Sequence, residues 1–274
     1  MESQAADYRR MFLATPGKTF SLSAIDPRAT DPLDDKHQAK TQLLDDAKVI
    51  DELQDRLYAE GTRALLVVLQ GMDCSGKDGT IRTVFGEVSP IGVEVTSFKA
   101  PSAEERAHDF LWRIHAAAPP KGFIGIFNRS QYEDVLVVKV RELAPAAEVE
   151  RRYDDINRFE KHLADNGARI LKFMLHISKE EQAQRLRERV EDPKKQWKFN
   201  PGDLDDRKLW SEFMAAYETA VNRCSTPYAP WYVIPSDRNW LRNAAIARIV
   251  RITLEEMDPR YPKLAWDPKS ITIE

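Results

Sequence analysis

Strand-length apolar runs alternating with helical patterns predict an α/β fold, a parallel sheet covered by helices on both faces. A second observation sharpens this. The apolar run 64–69 leads into Gly71-x4-Gly76-Lys77, and a helical pattern follows at once. That order of strand, glycine-rich loop and helix is the context a phosphate-binding loop requires. A third observation is positional. Segments 70–80, 128–134 and 178–203 each follow a predicted strand, so they share the C-terminal edge of the sheet, where open parallel sheets bind ligands. The predicted architecture is therefore a three-layer P-loop fold with a helical lid.

The elements follow in order. Residues 1–33 contain Pro16, Pro27 and Pro32 without clear periodicity and are expected to form an extended arm that wraps the domain or meets a partner subunit. Residues 34–60 give one long helix with an apolar stripe of Leu43, Leu44, Val49, Ile50, Leu53 and Leu57, ended by Gly61. Strand 64–69 precedes helix 77–87, and strand 93–98 precedes helix 102–116. The turn Pro119-Pro120-Lys121-Gly122 opens strand 123–127. Helix 146–166 stops at Asn166-Gly167, and strand 169–177 leads to helix 179–190, which Pro193 halts. Helix 204–222, strand 231–234 and helix 238–257 complete the pattern. The P-loop domain spans 34–262, its lid lies at about 179–203 with Pro193 and Gly202 bracketing the tip, and 263–274 form a tail. No internal repeat or low-complexity tract divides the chain.

Composition narrows the function. With 274 residues, 42% hydrophobic and 31% charged, the chain suits an ordinary globular α/β protein. A net charge of −3 supplies no global field for nucleic acid, so any polyanion must meet locally concentrated basic groups. No apolar run reaches the roughly 18 residues of a membrane span, and no signal peptide is evident. The two cysteines, Cys74 and Cys224, fit a reducing cytoplasm and are too few for a cysteine-based metal site. His37, His108, His115, His162 and His176 show no metal-ligand spacing and no triad pattern. The tryptophans, including Trp112, Trp197, Trp210 and Trp231, are expected to pack rather than stack on bases.

In the loop, Gly71, Ser75, Gly76, Lys77, Asp78, Gly79 and Thr80 are the expected phosphate-binding residues. Backbone N–H groups and the helix dipole would face the phosphates, and Lys77 would add a full charge. The Ser or Thr that normally follows the lysine is replaced by Asp78. Asp73, an acid inside an anion-binding loop, is expected to hold Mg²⁺ directly or through water, with Mn²⁺ as a substitute; the alternative is a local turn stabiliser. After the third strand, Asn128 stands where a metal-binding acid is usual, and Arg129 is placed to stabilise a transferring phosphoryl group; the alternative is a salt bridge to a nearby acid. Glu133 would start a helix, hold metal-bound water or meet the amino group of a base. In the lid, Arg185 and Arg189 share a helix face, with Lys198 beyond. Nearby acids also permit a plain ion-paired surface helix.

Taken together these residues resemble the polyphosphate kinase 2 family. The matching runs are Gly71-Met72-Asp73 through Gly76-Lys77-Asp78-Gly79-Thr80, His108-Asp109-Phe110-Leu111-Trp112-Arg113, and Phe127-Asn128-Arg129-Ser130 with Tyr132-Glu133-Asp134-Val135. Leu171-Lys172-Phe173, Leu175 through Gln182, Trp197-Lys198-Phe199 and Ala229 through Pro235 complete a resemblance that covers about residues 15–262. Asn128 with Glu133 looks like the class III branch, while Gln131 departs from the family's histidine. The resemblance implies a thymidylate-kinase-like fold and reversible transfer of the terminal phosphate of inorganic polyphosphate to ADP or AMP, giving ATP or ADP. It implies a dimer or tetramer, and guanosine nucleotides are candidate further partners beside ADP, AMP and ATP. Asn128, Tyr132 and Glu133 would then contact nucleotide, and Lys99, Arg185, Arg189 and Lys198 would line the polyphosphate path with Lys77 and Arg129. An ATP-dependent nucleoside monophosphate kinase and a non-catalytic nucleotide-binding regulator are the alternatives.

Overall fold

A computed structural model describes residues 8–33 and 35–273. Its centre is a six-stranded sheet in the order β1-β6-β5-β2-β4-β3. The strands are β1 (Leu13–Ala14), β2 (Ala64–Gln70), β3 (Val93–Ser97), β4 (Ile124–Asn128), β5 (Ala168–His176) and β6 (Trp231–Pro235). All neighbours are parallel except β1, which runs antiparallel to β6. The predicted parallel α/β sheet is thus present.

β2 carries the phosphate loop and lies between β4 and β5, with Val67 in register with Ile126 and Leu171. Every residue of β2 is buried. Alternation sends Leu65, Val67 and Leu69 into the core layer that includes Ile50, Leu57, Ala247 and Val250. Leu66 and Val68 enter the opposite layer, with Tyr153, Ile156 and Phe213. Both faces being covered explains why β2 reads as a continuous apolar run.

The first layer is built by helices α1 (Lys36–Glu60), α2 (Lys77–Phe85) and α10 (Asn239–Met257). Asp35 caps α1, its carboxylate accepting from the His37 and Gln38 backbone N–H groups at 2.7 and 2.9 Å. Gly61 ends α1 in the left-handed conformation at φ 62°, as expected. Leu44 departs from the predicted stripe and is exposed.

The opposite layer carries α4 (Trp112–Ala116), α5 (Val137–Val140), α6 (Ala146–Asp165) and α9 (Trp210–Cys224), and α3 (Ala103–Ala107), which buries no residue, precedes α4. α3 and α4 replace the single helix expected over 102–116. Ser102 and Glu105 form a reciprocal cap at the start of α3, and His108 leaves it in an extended conformation. Asp109 then accepts from the Leu111 N–H at 3.0 Å and starts a new turn. The helix expected over 204–222 is likewise two: α8 (Gly202–Lys208) and α9, separated at Leu209. Between β5 and α8 lies α7 (Lys179–Glu191), capped by the Ser178 hydroxyl.

The arm is only partly irregular. Residues 8–12 are helical, β1 adds an antiparallel edge, and Tyr8, Phe12, Leu22 and Leu33 are buried. Residues 1–7 of the expected arm lie outside the described residues. Trp231 packs as expected, but Trp197 is 78% exposed and does not. Among the described residues no helix is long and apolar enough to cross a membrane.

Candidate active site

The loop between β2 and α2 needs its glycines. Gly71 and Gly76 have φ of 151° and 104°. A Cβ on Gly71 would lie 2.8 Å from the Leu175 carbonyl oxygen, inside contact distance. Gly76 is the N-terminal cap of α2 and adds no side-chain bond, which leaves the helix start open to an anion. Lys77 is buried, and its Nζ donates to the Gly71 carbonyl at 2.7 Å and the Met72 carbonyl at 3.3 Å. Burial, then the Arg129 charge, lowers its pKa, against the pull of Asp73 and Glu133. Ser75 Oγ is buried with no hydrogen-bond partner among the described residues.

Arg129 enters from the end of β4 in a left-handed conformation, φ 64°, with its N–H bonded to the Leu69 carbonyl at 3.0 Å. That backbone fold turns its side chain across the loop. Nη2 bonds Asp73 at 2.7 Å and Nη1 meets Glu133 at 3.5 Å. Burial alone would lower its pKa, but Glu133 and Asp73 outweigh that and raise it, so Arg129 stays charged. Asp73, Lys77 and Arg129, the three residues expected to be catalytic, thus converge at one mouth. Gly71, Met72, Asp73, Arg129, Glu133 and Tyr217 line a cleft there.

A second chain of contacts links the other segments. Asn128 Nδ2 donates to Asp78 Oδ1 at 2.8 Å, and Lys198 Nζ lies 3.5 Å from Asp78 Oδ2. Burial pushes the Asp78 carboxyl up, but Asn128, Lys198 and Lys77 together carry it below the ordinary value. Asp78 therefore fastens α2 to β4 and to the segment between α7 and α8. Lys198 also lies over the Trp197 ring. Lys99 is exposed just beyond β3, on the same sheet edge. Arg189 pairs with Asp203 at 3.4 Å, closing α7 onto α8.

Three expected contacts are corrected. Tyr132 is fully buried, and its hydroxyl donates to Glu160 at 2.8 Å, so its ring does not face a nucleotide. Thr80 is also fully buried, its hydroxyl turned to Asn243 of α10 at 3.2 Å and its N–H spent on the Gly76 carbonyl. Arg185 is a strut rather than a free anion ligand. Its guanidinium bonds Glu181 and the carbonyls of Cys74, Ser75, Ser236 and Asp237, all between 2.9 and 3.3 Å.

Among the described residues no cluster of three or more His, Cys, Asp or Glu side chains could cage a metal. Mg²⁺ does not require one, since it commonly takes one or two carboxylates and completes its shell with phosphate oxygens and water. The partly exposed Asp73 carboxylate beside the loop fits that donor pattern.

The polyphosphate kinase 2 (PPK2) family model matches residues 10–262. The chain belongs to this family. One family relative, an AMP/ADP-polyphosphate phosphotransferase of Meiothermus ruber, is 48% identical, with 97% of this chain and 100% of the relative covered. An ADP-polyphosphate phosphotransferase of Rhodopseudomonas palustris is 39% identical, with 86% of each chain covered. The crystal structure of polyphosphate kinase 2 from Arthrobacter aurescens superposes with a TM-score of 0.92 at 41% identity, covering 96% of this chain and 94% of that one. The polyphosphate kinase 2 fold is therefore that of this chain, a P-loop kinase-like α/β fold.

In this member of the polyphosphate kinase 2 family, four further residues shape the site. Gln182 Nε2 holds the Asp73 carbonyl at 3.1 Å. Tyr217 is buried beside Glu133 and Arg129, with its hydroxyl within bonding reach of the Gly71 backbone. Asp203 faces the same charges; burial, then repulsion from Asp73, raises its pKa to about 6. Arg242 reaches the loop from α10. Only tertiary packing brings these residues in, and none lies in a phosphate-loop motif.

Proposed function

We propose that this chain transfers the terminal phosphate of inorganic polyphosphate to AMP and ADP, yielding ADP and ATP, and that the reaction runs in both directions. The observation that carries the reading is the family match over residues 10–262, which includes the loop where Asp73, Lys77 and Arg129 converge. The 48% identical relative named as acting on both acceptors supports AMP as well as ADP.

The chemistry needs two anions brought together, and the residues present suit that task. Lys77 would exchange its loop carbonyls for phosphate oxygens. Arg129 bridges the loop and the β4 end, where transferring charge would develop. Mg²⁺ held by Asp73 would offset charge on the phosphate oxygens. Lys99, Arg189 and Lys198 supply basic groups along the same edge for an extended polyanion. Asn128 and Glu133 remain the proposed nucleotide-side residues, and guanosine nucleotides are proposed as further acceptors. Assembly as a dimer or tetramer is part of the proposal, supported by Ile91 and Val95 exposed at the β3 edge.

Purified protein mixed with polyphosphate, Mg²⁺ and either AMP or ADP should form ADP and ATP, read by chromatography. Phosphorylation of a monophosphate by ATP, with none from polyphosphate, would overturn the reading in favour of a monophosphate kinase.

A further inference from the structure

Arg242 sits on α10 and is all but sealed from solvent, the residue being 2% exposed. No carboxylate pairs with it among the described residues. Nη1 donates to the Ser75 carbonyl at 2.9 Å and to Asn239 Oδ1 at 2.7 Å, and Nε donates to Asn243 Oδ1 at 3.1 Å. Arg185, arriving from α7, donates to the same Ser75 carbonyl at 3.3 Å. Two guanidinium groups therefore meet on one peptide oxygen. Burial, then the Arg185 charge, pushes Arg242 down to about 9. A buried cation without a partner acid is costly to a fold, and packing alone would favour an apolar side chain here.

The loop is shaped to admit this arginine. A Cβ at position 76 would lie 2.1 Å from Arg242 Nη1. Gly76 thus serves both the left-handed turn and the approach of Arg242. The Ser75 carbonyl and the Gly76 N–H belong to one trans peptide unit, so they point in opposite directions. Holding the oxygen toward α10 aims the N–H away from α10. Gly76 caps α2, so that N–H stands among the open donors at the helix start. Two charged donors on the oxygen also polarise the unit and strengthen the N–H as a donor.

We propose that Arg242 is a positioning residue for phosphate capture, acting through the Ser75–Gly76 peptide to aim its amide at the donor phosphate and placing an uncompensated positive charge behind the loop. The inference rests on the polyphosphate reading above. An anion bound in the loop supplies the negative charge that Arg242 lacks, so binding and the buried cation stabilise each other.

Arg242→Met removes the charge at similar length, and Arg242→Lys keeps charge with fewer donors. Steady-state rates are measured with polyphosphate varied at saturating ADP and with ADP varied at saturating polyphosphate. The rise in melting temperature on adding polyphosphate is recorded for each protein. Arg242→Met should lose about 10²-fold in kcat/KM for polyphosphate, comparable to losing one preorganised donor, while KM for ADP stays near wild type. Arg242→Lys should recover part of the loss, and the polyphosphate-induced thermal shift should shrink in the same order. A folded Arg242→Met protein with wild-type kcat/KM and a wild-type thermal shift would overturn the proposal, as would equal losses toward both substrates. If the methionine protein does not fold, the lysine protein is judged by the same two readouts. Wild-type protein inactive with polyphosphate would instead sink the functional reading, and the thermal shift would still decide the role of Arg242.

Discussion

Lys77 is bonded to the carbonyls of its own loop, and burial already works against its charge. An incoming phosphate offers a better partner than two neutral carbonyls, so the lysine is poised to exchange them. Lys77→Ala should leave the fold intact and lower turnover by about 10²–10³, the scale of losing one preorganised electrostatic contact. Turnover near wild type would remove Lys77 from the mechanism. Asp134 illustrates the opposite case, a charge the fold disfavours. Burial pushes its carboxyl up to about 6, although Arg152 lies 3.2 Å away and, with Arg113, pulls it down. The unfolded chain ionises near 3.9. As pH rises from about 4 to 6 the unfolded state loses its proton first, so this residue progressively destabilises the fold and then has a constant effect above 6. Asp134→Asn should therefore stabilise the protein at pH 7.5 by about 1–3 kcal/mol. The gain should shrink at pH 5, and thermal melts at the two pH values check this. An equal gain at both would show that the carboxyl titrates normally.

At the scale of elements, the sequence was legible wherever a signal was local. The phosphate loop, the Gly61 stop and the apolar strands each depend on neighbouring residues, and each is found where expected. The two-residue strand β1 was not legible, because its partner Tyr232 lies far away in sequence. The same limit explains the site. Asp73 and Arg129 meet because β2 and β4 are adjacent, and their residue types alone suggested it. Tyr132 and Thr80 matched family motifs, but side-chain direction is a matter of packing, and both turn inward. Tyr132 belongs to a buried network that joins its own turn to β5, α6 and α9. Lys172 of β5 bonds Glu160 of α6 at 2.5 Å, the Tyr132 hydroxyl at 2.7 Å and the Cys224 carbonyl at 2.7 Å, while Gln131 donates to Glu160 at 3.0 Å. Lys172, Glu160, Gln131 and Tyr132 are all sealed from solvent. Removing one charge leaves the other stranded, so Lys172→Met should cost about 3–5 kcal/mol. Lys172→Met with Glu160→Leu should cost much less, because no buried charge remains. Urea denaturation would reveal the difference, and a double variant no more stable than the single one would contradict the argument.

At the scale of the whole molecule, the sheet order sets the reaction path. β2 lies between β4 and β5, so the loop, Arg129 and the start of α7 share one sheet edge, while the chain as a whole carries a net charge of only −3. Among the described residues the same geometry brings no covalent relay to the mouth. Cys74 is in the loop, but burial pushes its thiol up to about 11, leaving it protonated at neutral pH. Asp73 is engaged by Arg129. His108 stacks on Trp112, His115 lies against Phe159 and His162, and His176 is buried with its Nδ1 unpartnered among the described residues. None of these histidines lines the cleft beside Asp73 and Arg129. The acceptor is itself an anionic phosphate and needs positioning and charge compensation more than a base. Transfer should therefore be direct and in line. Incubating the protein with radiolabelled polyphosphate and Mg²⁺ in the absence of nucleotide, then denaturing and washing it, should leave no label on the chain. Stoichiometric label that chases into ATP when ADP is added would establish a phosphoenzyme, and Lys77 and Arg129 would then have to serve two transfers instead of one.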